Sequence, residues 1–231
     1  LPIWVNHKRV ARVMRFEGIR GYMKKRRVRT TIPDPEAVRP PDLVDRQFGV
    51  AAPNVLLVAD FTYVKLVTGV FVYVAFVIDA YAGSIVGWEA SASKHTRFVE
   101  SALRQAAALR ARQGHPVDGA IHHSDAGSQY TALTFGQRLS TAGITPSIGS
   151  VGDSYDNALA ESVNADYKNE LVDNGPRFPG LTELSLATAE WVAFYNRVRP
   201  HSYCHDLTPD HAERLHYDRL RTLNPEEALR N

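Results

Sequence analysis

The run GVFVYVAFVIDAYAGSIVGW, residues 69–88, constrains this chain more than any other stretch. It is apolar enough to invite reading as a membrane helix, yet Asp79 and its glycines interrupt it, and its Val and Phe content favours extended backbone. The run therefore reads as adjacent strands, GVFVYVAFVIDA and GSIVGWEAS, joined by a turn at Ala82 and Gly83. A strand NVLLVADFTYV precedes them, reached through a short connection around Thr68 and Gly69.

Further elements follow in order. HTRFVESALRQAAALRARQG is an Ala-rich amphipathic helix that stops at Gly114. DGAIHHSD is a fourth strand, TALTFGQRLSTAG a helix and ITPSI a short fifth strand. DSYDNALAESVNADYKNELV is a long helix with Asp153 or Ser154 placed to cap it. A last helix, LTELSLATAEWVAFYNRVRP, ends before Pro200. Three antiparallel strands, then a helix, a parallel strand, a helix, a strand and helices, predict an α/β fold. The expected form is a ribonuclease H-like mixed five-stranded sheet flanked by helices.

Charge divides the chain. Residues 1–30 hold ten Lys or Arg against Glu17 alone, a balance of +9, while the remainder carries −7. That predicts a short basic helical arm over 1–30, a partial helix-turn-helix-like element in which Lys24, Lys25, Arg26 and Arg27 form the basic run. Neutralising DNA phosphates releases counterions, so such an arm suits DNA, a solvated tail being the plainer reading. The Pro-rich stretch 31–52 reads as a linker, 53–216 as the main folded core and 217–231 as a C-terminal tail. A single cysteine, Cys204, fits a reducing compartment, and no apolar leader opens the sequence. Starting at Leu1 without Met, the chain is expected to be a fragment, a processed product or part of a fusion.

Three carboxylates carry the chemistry. Asp60 is expected to end the first strand, Asp125 to end the fourth in HHSDAGSQY, and Glu161 to lie in the helix DNALAESVNADYK. Gathered together they would repel unless a cation sat among them, and Mg²⁺ or Mn²⁺ prefers such oxygens. Asn157, Glu161 and Lys168 stand at i, i+4 and i+11, about one helical face, with Asn164 near its edge. Taken singly, each acid reads more simply as a strand-end or solvated group. Asp79 reads as a turn former or a group supporting the site. HSYCHDLTPDH could suggest zinc through His201, Cys204, His205 and His211, but it lacks a paired Cys-x-x-Cys. Trp191, Phe194 and Tyr195 read as core.

The blocks VADFTYV, HHSDAGSQY, GSVGDSYDNALAESVNADYKNEL and FYNRVRPH…LTP together resemble the Asp-Asp-Glu transposases and retroviral integrases. The likeness is to second-frame products of bacterial insertion sequences. Residues 126–160 separate Asp125 from Glu161, the thirty-five-residue interval that this superfamily commonly shows. Two departures stand out: Leu57 where the family often has Trp, and Ala126 where it often has Arg.

The resemblance implies Asp60, Asp125 and Glu161 as catalytic metal ligands holding two ions, and Lys168 as a DNA-phosphate contact. Asn157, Asn164, Ser128, Gln129 and His123 are further expected DNA contacts. It implies metal-dependent cleavage and strand transfer of transposon ends into target DNA by a homo-oligomer in the bacterial cytoplasm. An upstream-frame helix-turn-helix protein is an expected partner, and no membrane is involved. The alternatives are a ribonuclease H-like nuclease and a truncated transposase that only binds DNA.

Overall fold

The computed structural model describes residues 5–19, 40–127, 129–149, 157–175 and 177–223. Contacts divide the chain into two units, Leu1–Pro35 and Glu36–Asn231.

In the first unit, α1 spans His7–Phe16, and the Asn6 side chain accepts from the Lys8 N–H at 2.9 Å as an N-cap. None of its residues is buried, so Val10, Val13 and Phe16 stay exposed among arginines. The expected basic run Lys24–Arg27 lies outside the described residues.

The second unit is built on a five-stranded sheet ordered β3-β2-β1-β4-β5. The strands are β1 Leu56–Lys65, β2 Phe71–Asp79, β3 Ser84–Ser91, β4 Ile121–Ser124 and β5 Thr145–Ile148. β1 pairs antiparallel with β2 and parallel with β4, and β5 runs parallel to β4. The helices are α2 Arg97–Arg112, α3 Leu133–Thr141, α4 Ala158–Tyr167, α5 Leu181–Arg197 and α6 Pro209–Leu223. The expected mixed sheet flanked by helices is therefore present.

Sheet position explains the continuous apolar sequence of the first strands. β1 is central and covered on both faces, so its alternate residues feed two cores. Leu56, Val58 and Val64 join Phe76, Ala160, Val163, Tyr167, Trp191 and Tyr195 on the α4–α5 side. Leu57 and Ala59 join Phe98, Ala102, Leu103, Ala106, Phe135 and Leu139 on the α2–α3 side. Gly87 lets α2 sit close on β3, because a Cβ there would come 2.1 Å from the Ala102 carbonyl oxygen. Asn196 of α5 covers the edge of β3, its amide bonded both to the Ile85 N–H at 2.9 Å and to the Ile85 carbonyl at 2.8 Å.

Two helices differ from the sequence expectation. The long fourth helix begins as an α-helix at Ala158 with Asn157 in the N-cap position, and Asp153 and Ser154 lie outside the described residues. It ends not as α-helix but as a π-helical turn, Lys168–Asp173. A sixth helix, unread in the sequence because it is polar, runs from Pro209 across position 216 to Leu223. Trp191 and Tyr195 are core as expected, whereas Phe194 is 46% exposed.

α6 is fixed by an ion cluster at the far end of the sheet. The buried Arg110 guanidinium meets Asp79 at 2.8 Å and Glu213 of α6 at 2.6 Å, and the Ser84 hydroxyl donates to Glu213. Asp79 also accepts the Asn54 and Tyr81 N–H groups, which gives it a structural place in the turn region it was expected to occupy. Burial raises the Asp79 carboxyl above its usual range, opposed by Arg110. Removing the cation would leave two carboxylates facing each other out of water. Arg110→Ala is therefore expected to cost about 3–5 kcal/mol in denaturant unfolding, and a loss below about 1 kcal/mol would show that the cluster is not closed in solution.

Candidate active site

The pairing of β1 with β4 decides where the first two carboxylates stand. Its last rung joins Ala59 to Ser124. Asp60 and Asp125 are the next residue on each strand, so both leave the ladder at the same level on neighbouring strands. Asp60 does not end its strand as expected: β1 continues to Lys65, paired beyond this point with β2 alone among the described strands. What ends at Asp60 is β4, which is four residues long.

Burial and proximity leave their mark on these acids. Asp60 is raised to about 7, first by burial and then by the charge of Asp125, with a smaller push from Glu161. Two donors hold it in place: the Phe61 N–H at 2.8 Å and the Asn164 side-chain amide at 2.7 Å. Asp125 is also raised by burial, and its Oδ1 accepts the Gly127 N–H at 3.1 Å in the turn AGSQY. Glu161 sits in the first turn of α4, half-buried. Among the described residues no three His, Cys, Asp or Glu side chains stand close enough to hold one metal ion as they are arranged. Like charges oppose such convergence. The donor set nevertheless fits a hard divalent cation: all three groups are carboxylates, and Asp60 is costly to keep ionised and buried without a counter-charge.

The face of α4 is assigned differently from its sequence period. Asn157, Ala160, Val163, Asn164 and Tyr167 are buried, forming the stripe that packs on the sheet. Asn157 donates to the Ala59 carbonyl at 3.0 Å, and Asn164 to Asp60. Both were expected at DNA; the structure instead turns them inward to hold β1 and its carboxylate. Glu161 and Lys168 lie beside that stripe, neither of them buried. His123 is likewise internal, its Nδ1 2.8 Å from the Ser147 hydroxyl, and Gln129 donates to the Lys94 carbonyl at 3.0 Å. These contacts tie both side chains to the strand end and the following turn. Ser128 lies outside the described residues. Lys168 places its ammonium 4.1 Å from the centre of the Tyr63 ring.

The π-helical turn has its own clamp. Arg199 bridges Asp166 of α4 at 2.8 Å and Glu170 of the turn at 2.9 Å, and the Trp191 indole N–H donates to Glu170 at 2.9 Å. This accounts for Arg in the RPH block. Of the four side chains the zinc reading named, His201 bonds the Tyr195 carbonyl and the Cys204 thiol donates to the Leu207 carbonyl.

Tyr130, unread in the sequence, belongs to the site. Its hydroxyl is buried and has no hydrogen-bond partner among the described residues. Burial and the charges of Asp60 and Asp125 raise it well above the usual tyrosine range, so it stays a proton donor near both acids. The signal available was an aromatic with a polar tip directly after the HHSDAGSQ turn. His122 is buried against Phe135 and lowered to about 4 by desolvation, which keeps it neutral.

The raised Asp60 gives a pH prediction. Its proton is held more tightly in the fold than in the unfolded chain, where Asp titrates near about 3.9. Its contribution to stability is therefore fullest below about pH 4 and declines as the pH rises through about 7. In EDTA, the melting temperature of the native protein relative to Asp60→Asn should fall by at least about 5 °C between about pH 5 and about pH 8. A constant difference over that range would mean that Asp60 is neither buried nor crowded by Asp125.

Comparison with known proteins was made on sequence and on structure. Two family descriptions, both of an integrase core domain, match residues 50–154 and 142–209. A Mycobacterium tuberculosis protein assigned as the transposase of insertion sequence element IS986/IS6110 is 47% identical over 209 residues, covering 90% of this chain and 75% of its own. The transposase of insertion sequence element IS629 from Shigella sonnei is also 47% identical, over 90% of this chain and 68% of its own. Among solved structures, the simian T-cell lymphotropic virus intasome, in complex with PP2A regulatory subunit B56 gamma, matches with a TM-score of 0.56 at 19% identity. That match covers 78% of this chain and 60% of the viral one. The HTLV-2 integrase catalytic core domain in complex with magnesium matches with a TM-score of 0.54 at 18% identity, over 71% of this chain and 98% of that one. At such identities the structural likeness is one of fold.

Proposed function

Because the chain belongs to the insertion-sequence transposases that carry an integrase core domain, we infer that Asp60, Asp125 and Glu161 are the catalytic carboxylates of its DNA cleavage and strand transfer. The observation that carries this reading is the adjacency of Asp60 and Asp125 at the last β1–β4 rung, with Glu161 near enough to raise Asp60 further.

Asp60 and Asp125 would hold a divalent cation, with Glu161 completing the ligand set. Bound there, Mg²⁺ or Mn²⁺, as a pair, would activate the entering oxygen and stabilise the leaving one in an in-line phosphoryl displacement. The chain's own groups prepare that site. Asn164 and the Phe61 N–H fix the two oxygens of Asp60, the Gly127 N–H orients Asp125, and the Tyr130 hydroxyl supplies a buried donor beside both. Lys168 extends a cation along the same helix toward a DNA phosphate. One phosphodiester is hydrolysed to free a 3′-OH, which then attacks another in the target, so no nucleotide triphosphate is consumed.

The substrates are the element's ends and a target DNA, brought together by a homo-oligomer of this chain. The intasome and the dimeric and trimeric core structures with the same fold support assembly of that kind. The basic arm over 1–30 and a helix-turn-helix protein from the upstream frame would contribute end recognition. None of the described helices is long and apolar enough to cross a membrane, which suits a protein working on DNA in the bacterial cytoplasm.

Purified protein with supercoiled plasmid and Mg²⁺ or Mn²⁺ is expected to nick the DNA, and EDTA to stop it. Glu161→Gln and Asp125→Asn should lower nicking roughly a thousandfold, the scale on which members of one catalytic unit act, while leaving the melting temperature in EDTA unchanged or higher. Nicking by Glu161→Gln at near the native rate would remove Glu161 from the catalytic set.

A further inference from the structure

Beyond Asp60, β1 runs on as one arm of a hairpin whose tip carries an exposed aromatic pair. Tyr63 and Phe71 are each 47% exposed, and their rings meet edge to face with centroids 5.5 Å apart. Register sets the pair diagonally, Tyr63 facing Tyr73 and Phe71 facing Lys65 across the ladder. Val67 and Val70 continue the exposed apolar surface around the turn. Packing does not explain the placement, since Val64, Leu66 and Val72 already point into the core. A strand-end aromatic with no core duty is free to serve a ligand.

Charge says what kind. Lys168 stands over the Tyr63 ring at 4.1 Å and Lys65 over the Phe71 ring at 5.8 Å. From Phe61 to Ile78 the hairpin contains no Asp or Glu, in a chain whose residues beyond position 30 are net acidic. Each ammonium holds a ring face that a base could take instead, the cation then moving to the base's own phosphate. Strand alternation sets Tyr63 and Asp60 on opposite faces of β1, about 10 Å apart along it, or about three nucleotide steps at 3.4 Å each; what links them is Lys168, seven residues past Glu161, which reaches around to the Tyr63 ring. Bases inside a duplex hide their faces in the stack, so only terminal, unpaired bases could use the surface.

We propose that Tyr63 and Phe71 form a stacking platform for unpaired bases at the DNA end, beside the Asp60–Asp125 pair, with Lys65 and Lys168 on the adjoining phosphates. The proposal rests on the reading of this chain as a DNA-end-processing enzyme and adds to it a surface that grips the bases near the scissile bond.

The test uses the full chain and two DNA probes, a blunt duplex and the same duplex with a three-nucleotide 3′ overhang containing 2-aminopurine. The native protein should bind the overhang more tightly than the blunt end and quench the 2-aminopurine. Tyr63→Leu and Phe71→Leu, which keep an apolar strand residue, should each weaken overhang binding about tenfold and restore its fluorescence, with blunt binding unchanged. Tyr63→Phe should behave as native. Equal overhang preference in the native protein and both Leu variants would overturn the proposal. Self-association lost in Phe71→Leu, with overhang preference intact, would assign the patch to a second copy of the chain and overturn it as well. The catalytic reading is separated by running the same probes on Glu161→Gln. Overhang preference kept there, together with undiminished nicking, would sink the catalytic assignment and leave the platform standing. Lost nicking without any overhang preference would do the reverse.

Discussion

Two carboxylates placed side by side at the end of a parallel ladder set the terms for everything near them. Neighbouring strands lie about 4.8 Å apart, and two unit charges at that separation repel by about 3 kcal/mol at an effective dielectric of 20. Burial adds to this, and Asp60 responds by holding its proton to about pH 7. The surrounding polar groups are spent on the problem. The Phe61 N–H and the Asn164 amide point at Asp60, and the Gly127 N–H points at Asp125. Such an arrangement costs stability rather than adding it, since each donor fixes an oxygen without cancelling its charge, and it leaves both carboxylates open to a counter-charge.

Holding that pair still is the work of the scaffold. α2 is pressed on β3 at Gly87, and α4 is fastened to β1 by Asn157. Downstream, Arg199 ties Asp166 and Glu170 across the change from α to π geometry. That change sits between Tyr167, which is buried against Phe76 and Trp191, and Lys168, which leaves the core to lie over Tyr63. π-helical turns recur at functional sites, and here the turn separates the part of the helix that packs from the part that carries a cation outward. The FYNRVRPH block thus acts on the site through position: Asn196 closes the β3 edge and Arg199 fixes the turn.

The sheet was legible in the sequence because β1 and β2 are buried on both faces, which leaves long Val- and Phe-rich runs. The three carboxylates stood out as a candidate set from their separations and from the four blocks that resemble integrase-like transposases, and the β1–β4 register sets Asp60 beside Asp125. Other features were not, for physical reasons. A helical period shows which residues share a face but not which face meets the sheet, so Asn157 and Asn164 were read as outward when they point in. Arg110 occupies a helix end where a basic residue is normally solvated, and only the fold brings Asp79 and Glu213 to it from 31 and 103 residues away. α6 went unread because its sequence is polar; its fixed contacts are ionic, through Glu213, more than apolar.

One mismatch of lengths links the site to the surface beyond it. β1 has ten residues and β4 has four, and their pairing stops at Ala59 and Ser124. Had β4 run as far as β1, the residues after Asp60 would pair on both sides and the chain after Asp125 would have no room to turn away. Because β4 stops, Asp125 can enter its turn beside Asp60, and β1 goes on with β2 alone as a hairpin with one side unpaired by any described strand. The carboxylate pair and the exposed aromatic tip are therefore two results of the same early stop. Lys168, seven residues past Glu161 and seated over the Tyr63 ring, is the side chain that joins the two, which is the geometric reason for reading Tyr63, Phe71 and Lys168 together.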